Sequence, residues 1–183
     1  MSDLIQINDQ FDLTDIRPTD AVSLVKYLND FSIHDVTLTI PFPYTDSDAA
    51  TYLDLTEKNM EKFKSRVNWA IRERSTGEMV GSIGRFGNNV GSKFKPHVDE
   101  IGYWLAASYR RRGLMTAAIK AYTKHLFSTT ELTRLEAIIF AKNAASGRAL
   151  EKSGFQREGY LRQAEMKNGE TRDLILCALL KNG

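Results

Sequence analysis

Asp99-Glu-Ile-Gly-Tyr-Trp-Leu105, followed after a short gap by Tyr109-Arg-Arg-Arg-Gly-Leu-Met-Thr116, reads as a strand, a charged turn and the start of a helix. The helix is strongly periodic from Gly113 to about Thr129, with Leu114, Ala118, Ile119, Tyr122 and Leu126 on one face. The first turn of such a helix has free N–H groups and the positive end of the helix dipole, so it attracts anions. Gly113 lets a phosphate approach the backbone with no Cβ in the way, and the three arginines add positive charge. The turn has neither the Gly-Lys-Ser/Thr ending of a P-loop nor the Gly-x-Gly-x-x-Gly of a dinucleotide site. By itself it fits many phosphates, or a solvated arginine-rich surface.

Downstream, Leu135 to Phe140 reads as a buried strand, Ala144 to Lys152 as a short helix and Phe155 to Leu161 as a further strand. Asn168-Gly169 is a hairpin turn into a last strand, Thr171 to Leu180. Upstream, Phe11 to Arg17 alternates as a strand does, and Pro18 ends it. Thr19 or Asp20 caps a helix with Val22, Leu24, Val25 and Leu28 as its apolar stripe. Two prolines keep Ile40 to Thr45 extended. Thr45 or Asp46 then opens a helix to about Arg66, with Ala49, Tyr52, Leu53 and Met60 inward. Asn68 to Arg74 and Glu78 to Phe86 read as a hairpin, and Asn88 to Val98 as a polar loop. Strands dominate early and β-α-β units come later, which predicts one α/β (α+β) domain over residues 1–183 with a mixed, helix-covered sheet.

The bulk numbers narrow the function classes. The 183 residues suit one compact domain, and 42% apolar with 26% charged residues is ordinary globular composition. A net charge of +2 without a wide basic face argues against nucleic acid as a partner. The single cysteine, Cys177, makes no internal disulfide and alternates with Leu176 and Ala178 as a core thiol would, which fits a reducing cytoplasm. The first residues lack the charged and apolar regions of a signal peptide, and no apolar run approaches the roughly 18 residues of a membrane helix. His34 and His125 lack metal-ligand spacing, so no metal is expected.

Glu100 to Leu105 followed by Arg110-x-x-Gly113-x-Met115, and then Asn143-Ala-Ala-Ser146 through Leu150 and Gly154-Phe155 to Gly159, resemble successive motifs of the GNAT superfamily of N-acetyltransferases. Pro41-Phe-Pro-Tyr-Thr45 before them, and Leu161-Arg162, Asn168-Gly169 and Asp173 after them, look like its RimJ/RimL branch, the ribosomal-protein N-terminal acetyltransferases and their relatives. The resemblance implies a mostly antiparallel sheet of about seven strands with a central splay, flanked by about four helices. It implies that acetyl-CoA lies where Tyr103-Trp104-Leu105 and Ile138-Ile-Phe140 splay apart, bonded by backbone groups of Trp104 and Leu105. Backbone N–H groups across Arg110, Arg111, Arg112, Gly113, Leu114, Met115 and Thr116 would hold the pyrophosphate, with Asn143 and Ser146 as further cofactor contacts.

The resemblance also implies direct attack by an amine on the thioester, with no covalent enzyme intermediate. Glu100, on the strand leading to the cofactor, is the candidate base, and Asp99 points to the opposite face. Many family members place a tyrosine where this chain has Leu150, and Ser146, one turn earlier, is the nearest hydroxyl to serve the departing thiolate. Phe42, Tyr44, Arg85, Phe86 and the Asn88 to His97 loop are candidate acceptor contacts, and His97 is also a second candidate base. The acceptor is a protein α-amine or a small amine such as an amino acid, polyamine or antibiotic, and a catalytically silent acetyl-CoA-binding module is the alternative of another class. An edge strand near the C-terminus offers a second copy a pairing surface.

Overall fold

In the computed structural model, which describes residues 4–85 and 95–182, one sheet organises the chain. Its strands are β1 (Ile5–Gln6), β2 (Phe11–Thr14), β3 (Asn68–Glu73), β4 (Met79–Arg85), β5 (Val98–Leu105), β6 (Arg134–Phe140), β7 (Gln156–Lys167) and β8 (Glu170–Leu180). They lie in the order β1-β2-β3-β4-β5-β6-β8-β7. Of these neighbours only β5 and β6 run parallel. The parallel step needs a crossover, and α4 (Leu114–Thr129) supplies it. The remaining α-helices among the described residues are α1 (Ala21–Leu28), α2 (Phe31–His34), α3 (Asp46–Phe63) and α5 (Ala144–Lys152).

Strand alternation sorts the core onto two faces. Ile101 and Leu105 of β5 pack with Leu114, Ala118, Ile119, Tyr122 and Leu126 of α4 and with Leu150 of α5. Trp104 points the other way, into a cluster with Leu24 and Leu28 of α1, Ile33 of α2, Ala49 of α3 and Tyr44. The sheet is thus covered on both faces around β5. β7, at the edge, leaves Tyr160, Leu161 and Met166 exposed. Cys177 is a free thiol buried in the α4-side core, where burial raises its pKa. No helix among the described residues is long and apolar enough to cross a membrane.

Local chemistry explains the boundaries. The Thr45 hydroxyl accepts from the Asp48 N–H while the Asp48 carboxylate accepts from the Thr45 N–H, a closed capping box for α3. Asn168 and Gly169 both have positive φ (52° and 79°), as the tight β7–β8 turn requires. Three expectations are corrected. β1 and α2 are additional elements, of two and four residues, too short to leave a periodic signature. Val22 is 76% exposed, because the buried stripe of α1 runs through Leu24 and Leu28, and Val22 sits to one side of it. Met60 is also exposed, because only the first half of α3 packs on the core.

A buried ion pair ties α1 to the sheet. Both outer guanidinium nitrogens of Arg72 on β3 donate to the Asp20 carboxylate at 2.8 Å, and Nε donates to Thr14 at 2.9 Å. Both side chains are under a tenth exposed. Removing one partner strands the other charge in a low dielectric. Asp20→Ala is therefore expected to cost about 3 kcal/mol or more in urea unfolding. A loss below about 1 kcal/mol, the range of a surface pair, would refute the role given to this bond.

Candidate functional site

The parallel pairing of β5 and β6 covers Val98↔Arg134, Asp99↔Leu135 and Glu100↔Glu136, and there it stops. β5 runs on to Leu105, held on its other side by β4, and β6 runs on to Phe140, held by β8. The two strands therefore diverge beyond Glu100, leaving one edge of each without a strand partner. Buried backbone groups on such edges require a ligand, a side chain or water. Arg110 meets part of this need, since its Nε donates to the Leu105 carbonyl at 3.0 Å.

Beside the opening lies the loop before α4. Arg111 and Gly113 are both left-handed (φ 64° and 77°), so the chain curls before the helix begins. The first helical bond here is from the Ala117 N–H to the Gly113 carbonyl, which leaves the N–H groups of Leu114, Met115 and Thr116 without a helical acceptor. Arg111, Arg112 and Gly113 are exposed around this cradle. A Cβ on Gly113 would meet nothing within 4 Å, so the glycine serves the positive φ and keeps the approach open.

On the far lip, Asn143 caps α5 by accepting from the Ser146 N–H at 3.1 Å. Ser146, 9% exposed, shares a 2.7 Å hydrogen bond with the Tyr103 hydroxyl, joining α5 to β5 across the divergence. Burial holds the Tyr103 hydroxyl well above the ordinary tyrosine pKa. Sequence reasoning singled out Ser146 and placed Tyr103 on the cofactor strand without linking the two. Their side-chain bond joins positions 43 residues apart and has no local signature.

The model of the Acetyltransferase (GNAT) domain matches residues 11–156, most of the chain and all of the site just described. The chain belongs to the GNAT acetyltransferase family. Curated relatives include YoaA of Bacillus subtilis, named an uncharacterized N-acetyltransferase, 35% identical over 64% of this chain and 64% of its own length. Another is the ribosomal protein uS5 alanine N-acetyltransferase of Escherichia coli, 31% identical over 56% of this chain and 51% of that protein. The sequence matches thus span about half to two thirds of these relatives. MccE, a microcin self-immunity acetyltransferase solved with acetyl-CoA and AMP, shares the fold at a TM-score of 0.82 and 20% identity, over 95% of this chain and 94% of MccE. Among the described residues the GNAT sheet has eight strands where about seven were expected, flanked by five α-helices where about four were, the extra elements being β1 and α2.

The GNAT frame puts the other predicted residues in different places. Glu100 stands at the last paired position before the divergence, on the Trp104 face, with Glu136 as its cross-strand neighbour. Glu136 is matched by Arg134 at 2.8 Å, and Arg134 also holds Glu158. Asp99 faces α4 and is buried with Arg85, whose guanidinium donates to it at 3.2 Å. Arg85 is thereby corrected as an acceptor contact: it alternates with Ile83 onto the α4 face, and its side chain is only 10% exposed. His97 is exposed, but it precedes β5 at the end away from Leu105, with its carbonyl bonded to the N–H groups of Thr133 and Arg134. At roughly 3.3 Å per strand residue it is about 20 Å from Trp104. Tyr44 is buried against the Trp104 cluster, which leaves Phe42 as the open member of that pair. Phe86 and the 88–94 part of the polar loop lie outside the described residues. Among the described residues no group of three or more His, Cys, Asp or Glu side chains could hold a metal.

Sequence reasoning missed a strap over the opening, residues 30–40 including α2. On the β5 side Arg110 donates to Ser32 at 2.9 Å and pairs with Asp30 at 3.5 Å. On the β8 side Lys142 pairs with Asp35 at 2.5 Å, while Lys167 donates to the carbonyls of His34 and Thr37. The strap carries Phe31 and His34, whose rings stand beside Phe42 with centroids 5.5 to 6.1 Å apart. Arg110 is thus a bracket between β5 and the strap, and Arg111 and Arg112 are the arginines with free reach.

Gly81 on β4 lies so close to β5 that an added Cβ would meet the Trp104 carbonyl at 2.7 Å. Gly81→Ala must push β5 at the edge of the opening. It is expected to cost about 1–3 kcal/mol in urea unfolding. Wild-type stability in that variant would show that the position of β5 does not depend on this close approach.

Proposed function

We propose that this chain is an acetyl-CoA-dependent N-acetyltransferase that moves the acetyl group directly to a primary amine. The early end of β5–β6 pairing, beside a left-handed loop at the start of α4, is the observation that carries this reading. The family match and the fold shared with MccE support it. The α4 N–H groups and Arg111 and Arg112 suit a pyrophosphate. The strandless edge of β5 suits an amide-bearing arm and a thioester oxygen, with a backbone N–H to stabilise the oxyanion.

In this mechanism the amine arrives on the Glu100 face, gives its proton to the carboxylate directly or through water, and attacks the thioester carbon. The intermediate then collapses and the C–S bond breaks. Ser146 donates a hydrogen bond to the departing sulfur while accepting one from Tyr103, on the opposite face from Glu100. Tyr103, with its raised pKa, stays protonated and orients Ser146. The pair stabilises the thiolate by hydrogen bonding, since full transfer from a hydroxyl less acidic than a thiol runs uphill. It fills the role left open by Leu150, which weighs against a silent binding module.

The E. coli uS5 acetyltransferase among the relatives favours a ribosomal protein's N-terminal α-amine as acceptor, with a small-molecule amine as the rival. A screen of ribosomal N-terminal peptides and small amines, read by free-thiol release, decides between them. Acetyl-CoA binding with no acetylation of any amine would overturn the transferase reading. Glu100→Gln is expected to lower kcat on the order of 100-fold while acetyl-CoA affinity holds. Ser146→Ala should lower kcat about tenfold, and Tyr103→Phe should do so less. Turnover unchanged in Glu100→Gln would remove the base, and turnover unchanged in Ser146→Ala would remove the hydroxyl pair.

A further inference from the structure

The end of β6 forms the wall of a groove of about 480 Å³ lined by Phe140, Lys142, Tyr160, Gln163, Arg172 and Asp173 among others. Its lining carries two cations, Lys142 two residues past the end of β6 and Arg172 near the start of β8. Lys167, 6% exposed at the end of β7, lies outside that lining and donates to the strap carbonyls of His34 and Thr37. Their negative partners are few. Asp35 answers Lys142, and the mostly exposed Glu170 reaches one outer nitrogen of Arg172. Asp173 is occupied otherwise, accepting from the Tyr160 hydroxyl at 2.6 Å and from the Gln163 N–H at 2.8 Å.

Arg172 supplies the second observation. Its Nε is buried and has no hydrogen-bond partner. A buried donor left unmet costs about 1–3 kcal/mol, and folded proteins rarely leave one without use. The cations also feel one another: burial lowers the Lys167 pKa first, the Asp35 carboxylate raises it, and the charges of Lys142 and Arg172 lower it again. An entering anion would relieve both penalties. The groove stands at the β6 lip of the opening, and alternation along β8 puts Arg172 on the face of Leu174 and Leu176, which is also the face of Glu100.

We propose that this groove binds an oxyanion, a carboxylate or a phosphate, carried by the acceptor close to its amine, with Arg172 and Lys142 as its ligands. The inference rests on the amine-acetylation reading and narrows it to zwitterionic acceptors: a free amino acid, an acidic peptide N-terminus or an amine bearing a phosphate. Arg172 offers the planar guanidinium that matches such a group, Lys142 a point charge, and Gln163 and Thr171 further polar edges. Purely cationic amines such as polyamines would meet like charge at the lip.

The test compares matched acceptors in the thiol-release assay: an amino acid against its carboxamide, an aminoalkyl phosphate against the amino alcohol, and an acidic peptide against its neutral counterpart. Wild type is expected to favour at least one anionic member about tenfold in kcat/KM, the order of one charge-assisted hydrogen bond. Arg172→Gln should abolish that preference and Arg172→Lys should keep part of it. The arm that shows the preference identifies the anion. A second readout needs no turnover: inorganic phosphate, at matched ionic strength against chloride, should raise the Tm of wild type more than that of Arg172→Gln. If no amine is acetylated but the phosphate effect depends on Arg172, the anion site stands and the transferase reading falls. If amines are acetylated without regard to charge, or Arg172→Gln keeps the wild-type preference, the proposal is overturned.

Discussion

One constraint organises the molecule: the parallel pairing of β5 and β6 ends at Glu100↔Glu136 while both strands continue. Backbone polar groups do not stay buried without partners. A sheet that opens in its middle must therefore bind something there, fill the gap with side chains, or admit water. This chain keeps the gap and braces it. β4 holds β5 from one side with the close Gly81–Trp104 approach, and β8 holds β6 from the other. The Tyr103–Ser146 bond spans the divergence on one face, and the strap spans it on the other through Arg110, Lys142 and Lys167. The opening is thus a fixed feature with defined lips.

The braces also divide the chemistry. The α4 face has hydroxyls suited to a departing sulfur and the loop suited to phosphates. The opposite face has Glu100, the aromatic rings on and beside the strap, and the groove with Lys142 and Arg172. An acyl group held between the strands would face a base and an acceptor on one side and a leaving-group site on the other. On the proposed mechanism, that separation would let a single opening serve two substrates without requiring them to share a wall.

The sequence disclosed whatever is local. The apolar period of α4, the short helix α5, the alternation of β5, the Asn168-Gly169 turn and a cap at Thr45 or Asp46 follow from spacing and propensity, and the structure has each of them, with Thr45 as the cap. The α4 loop was legible because its glycine and arginines occur together. Features that depend on contact between distant positions were hidden. Lys167 meets the carbonyl of His34 across 133 positions, and Tyr103 meets Ser146 across 43. Arg85 looked like a charge for an acceptor until alternation turned it toward Asp99 under α4. Lys142 and Arg172 attracted no notice, since lone cations near strand ends resemble ordinary surface. Only their convergence with a buried, unpartnered Nε makes them a candidate site.

The central claim is that the unpaired edge beside the α4 loop is where acetyl-CoA binds. Hydrogen exchange measured with and without acetyl-CoA tests it directly. Amides of residues 101–106 and 111–117 should slow together when acetyl-CoA is added, with smaller effects on β1 to β3. Binding that slows other amides and leaves those two segments unchanged would contradict the account.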